Sequence, residues 1–324
     1  MSDLRLGTRG SQLAMYQART VAARLAAAGG PSCTIVVIRT TGDRVQDAPL
    51  SAIGGKRLFV KEIEEALASG AIDLAVHSSK DLPAALPDGL AIGAVLPRED
   101  PRDAIVLPAG AHADLHQIED LLALLGPAPR IGTGSVRRVA QFRRLMPGAH
   151  FADVRGNLDT RLRKLDEGGY DALVLAAAGL HRLGFSSRVS LAIPASACLP
   201  APGQGIIAVE VRADDGATRA AVAAIDDEAA GRALAAERAL VTALGGGCQM
   251  PLGALARAED GELDLRGVVL SLDGSRAVHH RTRGPLTDPA GLGARVAAAL
   301  VADGAEEILA DVRRAQGAVG GLQP

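Results

Sequence analysis

Apolar and polar positions in the first two hundred residues switch repeatedly between a period of two and a period near 3.6. Residues 4–8 read as a strand and 11–28 as a helix. Residues 34–40 are β-branched and strand-like. In 58–68, Leu58, Ile63, Ala66 and Leu67 fall near one helical face, and 72–77 form a short apolar strand. After a turn-rich stretch at 97–102 the pattern restarts. Strands are predicted at 105–107, 130–132, 151–154 and 172–176, and helices at 136–146 and 157–167. Such alternation predicts an α/β fold on mostly parallel sheets. Three prolines between Pro194 and Pro202 mark a crossover, followed by a strand at 205–211. From about Ala217 the style changes. Alanine-rich helical stretches run to Ala243, strands follow at 252–256, 263–270 and 276–280, and helical character returns at 291–315. This last piece reads as a smaller α+β unit.

The chain has 324 residues, enough for two or three domains at roughly 100–200 residues each. Its 35 basic and 37 acidic residues nearly cancel, which argues against a uniformly basic nucleic-acid binder. Two Tyr, four Phe and no Trp leave few platforms for stacking on bases. No apolar run approaches the ~20 residues of a membrane span. The opening residues carry no apolar signal region, so a cytoplasmic location is expected. Cys33, Cys198 and Cys248 are widely spaced and form no CxxC pair, so neither a disulfide framework nor a metal site is expected. Only Lys56, Lys61, Lys80 and Lys164 are lysines; every other basic residue is arginine.

Five constellations carry possible chemistry. Gly7, Thr8, Arg9, Gly10 and Ser11 form a turn between strand and helix, suited either to plain helix capping or to holding an anion on free N–H groups and the Arg9 fork. Gly132, Thr133, Gly134, Ser135, Arg137 and Arg138 repeat that design. Between Arg130 and Lys164 nine basic residues face two acidic ones, which fits either a solvated face or a site for small anions. A Gly-Gly turn delivers Lys56 ahead of a helix without P-loop spacing. Lys80 and Asp81 follow a strand's carboxyl end, where ligands of parallel sheets gather, although Asp81 could equally close a turn before Pro83. Finally, three glycines precede Cys248, which makes an exposed, deformable loop rather than a core slot. Cys33 and Cys198 lack such surroundings and are expected to be buried.

Taken together these stretches resemble the porphobilinogen deaminase (hydroxymethylbilane synthase) family. The matching segments are Gly-Thr-Arg-Gly-Ser-Gln-Leu-Ala at 7–14, Gly-Gly-Lys-Arg-Leu-Phe-Val-Lys-Glu at 54–62, Ala-Val-His-Ser-Ser-Lys-Asp-Leu-Pro at 75–83 and Arg-Glu-Asp-Pro-Arg-Asp-Ala at 98–104. They continue with Gly-Thr-Gly-Ser-Val-Arg-Arg at 132–138, Arg-Gly-Asn-Leu-Asp-Thr-Arg-Leu at 155–162 and Ala-Gly-Leu-His-Arg-Leu-Gly at 178–184. Leu-Pro-Ala-Pro-Gly-Gln-Gly at 199–205 and Gly-Gly-Cys-Gln-Met-Pro at 246–251 complete the order. The resemblance runs from about Leu4 to Ala310.

It implies two periplasmic-binding-protein-like lobes, the first from 1–101 with 203–220 and the second from 105–198, plus a third domain at 221–324. It implies condensation of four porphobilinogen molecules head to tail into linear hydroxymethylbilane, with ammonia released at each step. A dipyrromethane cofactor, joined by a thioether to Cys248, would prime the reaction. By motif, Asp81 matches the catalytic aspartate. Lys56, Lys80, Thr133, Ser135, Arg137, Arg138 and Arg161 match cofactor contacts. Arg9, Ser11, Phe59, Arg155, Arg182 and Gln204 match substrate contacts, with Phe59 packing over a pyrrole ring. Each pyrrole carries an acetate and a propionate, which arginine forks are suited to hold. No metal, nucleic acid or membrane is implied, and a monomer is the implied state. Arg143, Arg144 and Arg163 read as surface charges.

Three positions depart from the family pattern. A usual lysine is Ala52, the glycine that usually follows Lys56 is Arg57, and the usual Gly-Thr-Ser-Ser has Gly134 in its third place. Arg57 is expected to replace the missing cation. A non-enzymatic two-lobed anion-binding protein would also explain the paired glycine-hydroxyl-arginine turns, but not the Cys248 loop or the third domain. A chain growing inside one site requires the domains to shift, with hinges expected at 96–108 and 193–205.

Overall fold

A computed structural model describes residues 3–44, 60–111, 115–247 and 250–320. In chain order the first strands and helices are β1 (Leu4–Thr8), α1 (Gln12–Ala27), β2 (Cys33–Val37), α2 (Thr41–Arg44), α3 (Lys61–Ala68), β3 (Leu74–Ser78) and β4 (Leu90–Val95). The chain then crosses into β5 (Asp103–Val106), α4 (Ile118–Leu125), β6 (Arg130–Gly132), α5 (Val136–Leu145), β7 (His150–Ala152), α6 (Leu158–Lys164), β8 (Ala172–Ala176), α7 (Ala177–Arg182) and β9 (Leu191–Ala192). It returns through β10 (Ile207–Arg212) and α8 (Gly216–Ala223). It ends in α9 (Glu228–Ala243), β11 (Leu252–Glu259), β12 (Glu262–Leu270), β13 (Ala277–Pro285), α10 (Pro289–Ala302) and α11 (Ala305–Gly320).

Two five-stranded sheets share one plan, ordered β2-β1-β3-β10-β4 and β7-β6-β8-β5-β9. In each, four strands run in one direction and the crossing strand, β10 or β5, lies antiparallel to both of its neighbours. The α/β lobes with mostly parallel sheets are as expected, and in each sheet the crossing strand alone runs the other way. The reason is that each lobe completes its sheet with a strand that arrives from the other lobe.

Local chemistry accounts for the elements. Ser11 caps α1 by accepting the Ala14 N–H at 3.3 Å. Ala14, Gln17, Ala18, Val21 and Leu25 then form one buried stripe. Ala18, Val21 and Leu25 pack on Leu6, Leu74, Val76 and Val209 of the first sheet. The second lobe builds its core from Ile105, Ile131, Phe142 and Val174. The strand predicted at 105–107 begins two residues earlier, because Asp103 is neutralised by two arginines and can enter the sheet. β4 was not predicted, since its short apolar run among turn residues is ambiguous by periodicity.

The last domain is an antiparallel sheet, β11-β12-β13, with a core formed with α9, α10 and α11. On this sheet Leu255, Val268 and Leu270 pack with Ala140 of α5 and Leu199. Arg143 donates to Leu272 O at 2.8 Å and Arg144 to Gly274 O at 2.9 Å. These two arginines therefore tether the second lobe to the third domain instead of being merely solvated. Arg163 does lie on the surface, paired with Glu167.

The crossovers meet at Glu237 of α9, which is fully buried. Arg98 reaches both of its oxygens, at 2.5 and 3.2 Å. The N–H groups of Gly203 and Ala256 add bonds of 2.6 and 2.7 Å. Gly205 has φ +90°, and a Cβ there would sit 2.3 Å from Glu99 O, so the two crossing segments touch backbone to backbone.

Candidate active site

The carboxyl end of β3 runs straight into a single 3-10 turn, Ser79–Asp81. That turn exposes Asp81 and turns Lys80 inward. Lys80 Nζ donates to Gln204 Oε1 at 3.3 Å. Burial pushes the Lys80 ammonium down to about 8, and the nearby Arg138 adds to the effect against the pull of Asp81 and Asp103.

From the other lobe, Ser135 caps α5 by accepting the Arg138 N–H at 3.5 Å, and Thr133 Oγ1 accepts the Ser135 N–H at 3.3 Å. The cap fixes where Arg137 and Arg138 leave the helix. Both side chains are buried and converge on Asp103. Arg138 Nε and Nη2 reach Asp103 Oδ1 at 3.0 and 2.7 Å, and Arg137 Nη1 reaches Oδ2 at 2.8 Å. Gln204 Nε2 adds a bond to Oδ1 at 2.9 Å. Burial by itself would raise the Asp103 pKa, but Arg137 and Arg138 outweigh it and hold the carboxyl well below its ordinary range. Burial pushes the neighbouring Cys198 thiol up to about 12. Lys80, Arg137 and Arg138 thus outnumber the buried Asp103, leaving a cationic excess in a low-dielectric setting.

Arg161 is held below its usual pKa, first by burial and then by Arg138. It also feels Arg155 and, across the lobes, Asp81. Arg155 Nε donates to Asp153 at 2.7 Å. Arg182, at the end of α7, reaches the second crossover, with Nη2 donating to Gly205 O at 2.6 Å, and burial lowers its pKa. Arg9 and Ser11 sit at the mouth of α1, partly buried. The structure therefore gathers Lys80, Asp81, Arg137, Arg138, Arg161 and Gln204, while Arg182 stands at the end of α7 and Arg9 and Ser11 on the turn before α1. Lys56, Phe59 and Cys248, with Ala52 and Arg57, lie outside the described residues.

A cavity of about 100 Å³ opens between the three domains. Its lining includes Ser79, Lys80, Ser135 and Arg137, together with Gly247 and Met250 on either side of the Cys248 position. Two buried polar atoms here, Ser79 Oγ and Arg137 Nε, have no hydrogen-bond partner. Orphaned donors beside a cationic cluster and a cysteine loop fit a polycarboxylate group tethered at that loop. Among the described residues no cluster of His, Cys, Asp or Glu is placed to hold a metal ion, and no helix is long and apolar enough to cross a membrane.

Asp103 and Glu237 are organising residues that motif and periodicity do not single out. The available signal was a charged residue inside a strand or helix that must otherwise be buried, Asp103 in the 98–104 motif and Glu237 in an alanine-rich helix.

Comparison with known proteins supports the same reading. Residues 4–220 match the family model for the porphobilinogen deaminase, dipyromethane cofactor binding domain, and 232–302 match its C-terminal domain. Porphobilinogen deaminase of Syntrophobacter fumaroxidans is 46% identical over 313 residues, covering 96% of this chain and 98% of that protein. The enzyme of Acidithiobacillus ferrooxidans is 48% identical over 314 residues, covering 97% and 99%. That of Roseiflexus sp. is 49% identical over 307 residues, covering 94% and 98%. Among solved structures the likeness is looser. The VFT2 domain of BvgS from Bordetella pertussis gives a TM-score of 0.40 at 16% identity, covering 69% of this chain and 85% of that one, so the assignment rests on the sequence relatives. By these matches along nearly its whole length, the chain belongs to the porphobilinogen deaminase family.

Proposed function

We propose that this protein condenses four porphobilinogen molecules head to tail into hydroxymethylbilane, releasing ammonia at each step. The observation that carries the reading is the cationic cluster of half-buried Lys80 with buried Arg137 and Arg138, set beside an exposed carboxylate and the residues that flank Cys248. Dipyrromethane, held by a thioether on Cys248, supplies when bound a free pyrrole carbon as the first acceptor. Lys80, Thr133, Ser135, Arg137, Arg138, Arg161 and Lys56 hold its carboxylates. Arg9, Ser11, Arg155, Arg182 and Gln204 receive the incoming pyrrole, and Phe59 packs over its ring.

The chemistry assigns the remaining role. When ammonia leaves the aminomethyl carbon of porphobilinogen, the C–N electron pair goes with nitrogen. The methylene carbon stays on a now cationic pyrrole until the next pyrrole carbon bonds to it and gives up its proton. A carboxylate at Asp81 stabilises that cation and accepts hydrogen bonds from pyrrole N–H groups. Asp103 touches no ligand on this reading; it positions the two arginines. The protein works in the cytoplasm as a monomer, its first and second lobes bounded near 101 and 203 and its third domain starting near 221.

The test is the intact mass of the denatured protein. It should exceed the chain mass by a two-pyrrole adduct, and Cys248→Ser should remove that adduct. In parallel, Asp81→Ala should keep the adduct and the fold yet lose about 10²–10³-fold in turnover. An active protein with an unmodified Cys248 would overturn the assignment.

A further inference from the structure

The anion turn of the second lobe already holds a carboxylate of its own. Gly132 of β6 lies opposite Ala152 of β7, so the next residue, Asp153, emerges beside the turn. A Cβ on Gly134 would stand 2.7 Å from Asp153 Oδ1. A side chain there would push that oxygen, the free end of a part-exposed carboxylate, off its present position. The other oxygen, Oδ2, accepts Arg155 Nε at 2.7 Å, while Tyr170 Oη donates to the Asp153 carbonyl at 2.9 Å and anchors the segment. Arg161 lies within electrostatic reach of both Asp153 and Arg155. The Asp153 side chain is 43% exposed and that of Arg155 22%, so this pair faces solvent rather than core and is easily opened.

We infer that Asp153 is an internal counter-ion for the second-lobe carboxylate site, admitted by Gly134, which holds Arg155 until a pyrrole carboxylate displaces it. The inference rests on the proposed function, since it takes pyrrole carboxylates as what Arg155 receives. It gives the glycine at 134 a purpose: the Cβ of the serine usual there would crowd the Asp153 carboxylate aside. It also sets affinity. A cationic site that captures every carboxylate of a growing chain would release the finished product slowly. A resident carboxylate weakens each capture and refills the site as product leaves. Asp153 is thus a positioning residue for Arg155 and tunes affinity rather than chemistry.

The test is Asp153→Asn in the full, cofactor-loaded chain. KM for porphobilinogen should fall by about 2–5-fold, the range for one exposed ion pair, with kcat changed less. KM should also rise more steeply with ionic strength than in the parent, because the site gains net positive charge. Without substrate, added inorganic sulfate should raise the melting midpoint of Asp153→Asn more than that of the parent. Gly134→Ser should act in the same direction by crowding Asp153 off the turn, and the double variant should be less than additive. Gly134→Ser decides alone if Asp153→Asn does not fold. Unchanged or higher KM with an unaltered salt slope would overturn the inference while parent turnover leaves the proposed function standing. A parent that does not consume porphobilinogen overturns the function itself.

Discussion

Asp103→Asn is the most demanding check on the site. The substitution keeps the shape of the side chain and removes one buried negative charge. Arg137 and Arg138 each lose a partner held at 2.8 and 2.7 Å, and neither can move into water, since both side chains are buried. The new amide also places a donor against donors. If its nitrogen takes the Oδ2 place it meets Arg137. If it takes the Oδ1 place it meets Arg138 and Gln204. Removing one partner of a buried pair costs ~3–5 kcal/mol. Unfolding entropy of ~2.1 cal/mol/K per residue converts this into a melting shift that depends on the cooperative unit. A second lobe of roughly 100 residues unfolding alone would lose about 15–25 °C, and the whole chain unfolding as one would lose about 4–7 °C. Calorimetry reads the shift, and hydrogen exchange in β5 and α5 shows which unit opened. Intact mass should show incomplete cofactor loading, because the arginines no longer hold their places. A variant that melts within ~2 °C of the parent and carries the full adduct would refute the argument that Asp103 organises this site.

Glu237→Ala should destabilise by at least ~3 kcal/mol, since it strands Arg98 and orphans the Gly203 and Ala256 N–H groups. Denaturant titration within ~1 kcal/mol of the parent would count against the buried hub at the crossovers. Lys80 makes a pH prediction. Its folded pKa of about 8 lies below the ordinary 10.5, so its destabilising charge is fully present below pH 8 and is relieved as pH rises toward 10.5. In a Cys248→Ser background, Lys80→Met should therefore stabilise more at pH 7 than at pH 10, by up to ~3 kcal/mol. An equal effect at both pH values would refute it.

Much of this protein is written locally. The hydroxyls at Ser11 and Ser135 start their helices, the stripe from Ala14 to Leu25 orients α1, and the Gly-rich stretch before Cys248 marks a loop. All three are read from neighbours within a few residues, where capping and periodicity act. Asp81 and the Arg137-Arg138 pair could likewise be named from their motifs. What tertiary structure decided is which charges are shared. Arg137 and Arg138 meet Asp103 across more than thirty residues, and Lys80 meets Gln204 across more than a hundred. Arg143 and Arg144 look like surface charges in sequence and become tethers because the β12–β13 turn passes their helix. The mixed sheets arise in the same way, from strands exchanged between lobes. Whether a charge is solvated, paired or left in excess depends on what burial brings beside it. Periodicity marks which face of a helix is buried, but the charge that a buried charge meets comes from a distant part of the chain, and no local pattern in the sequence encodes that partner.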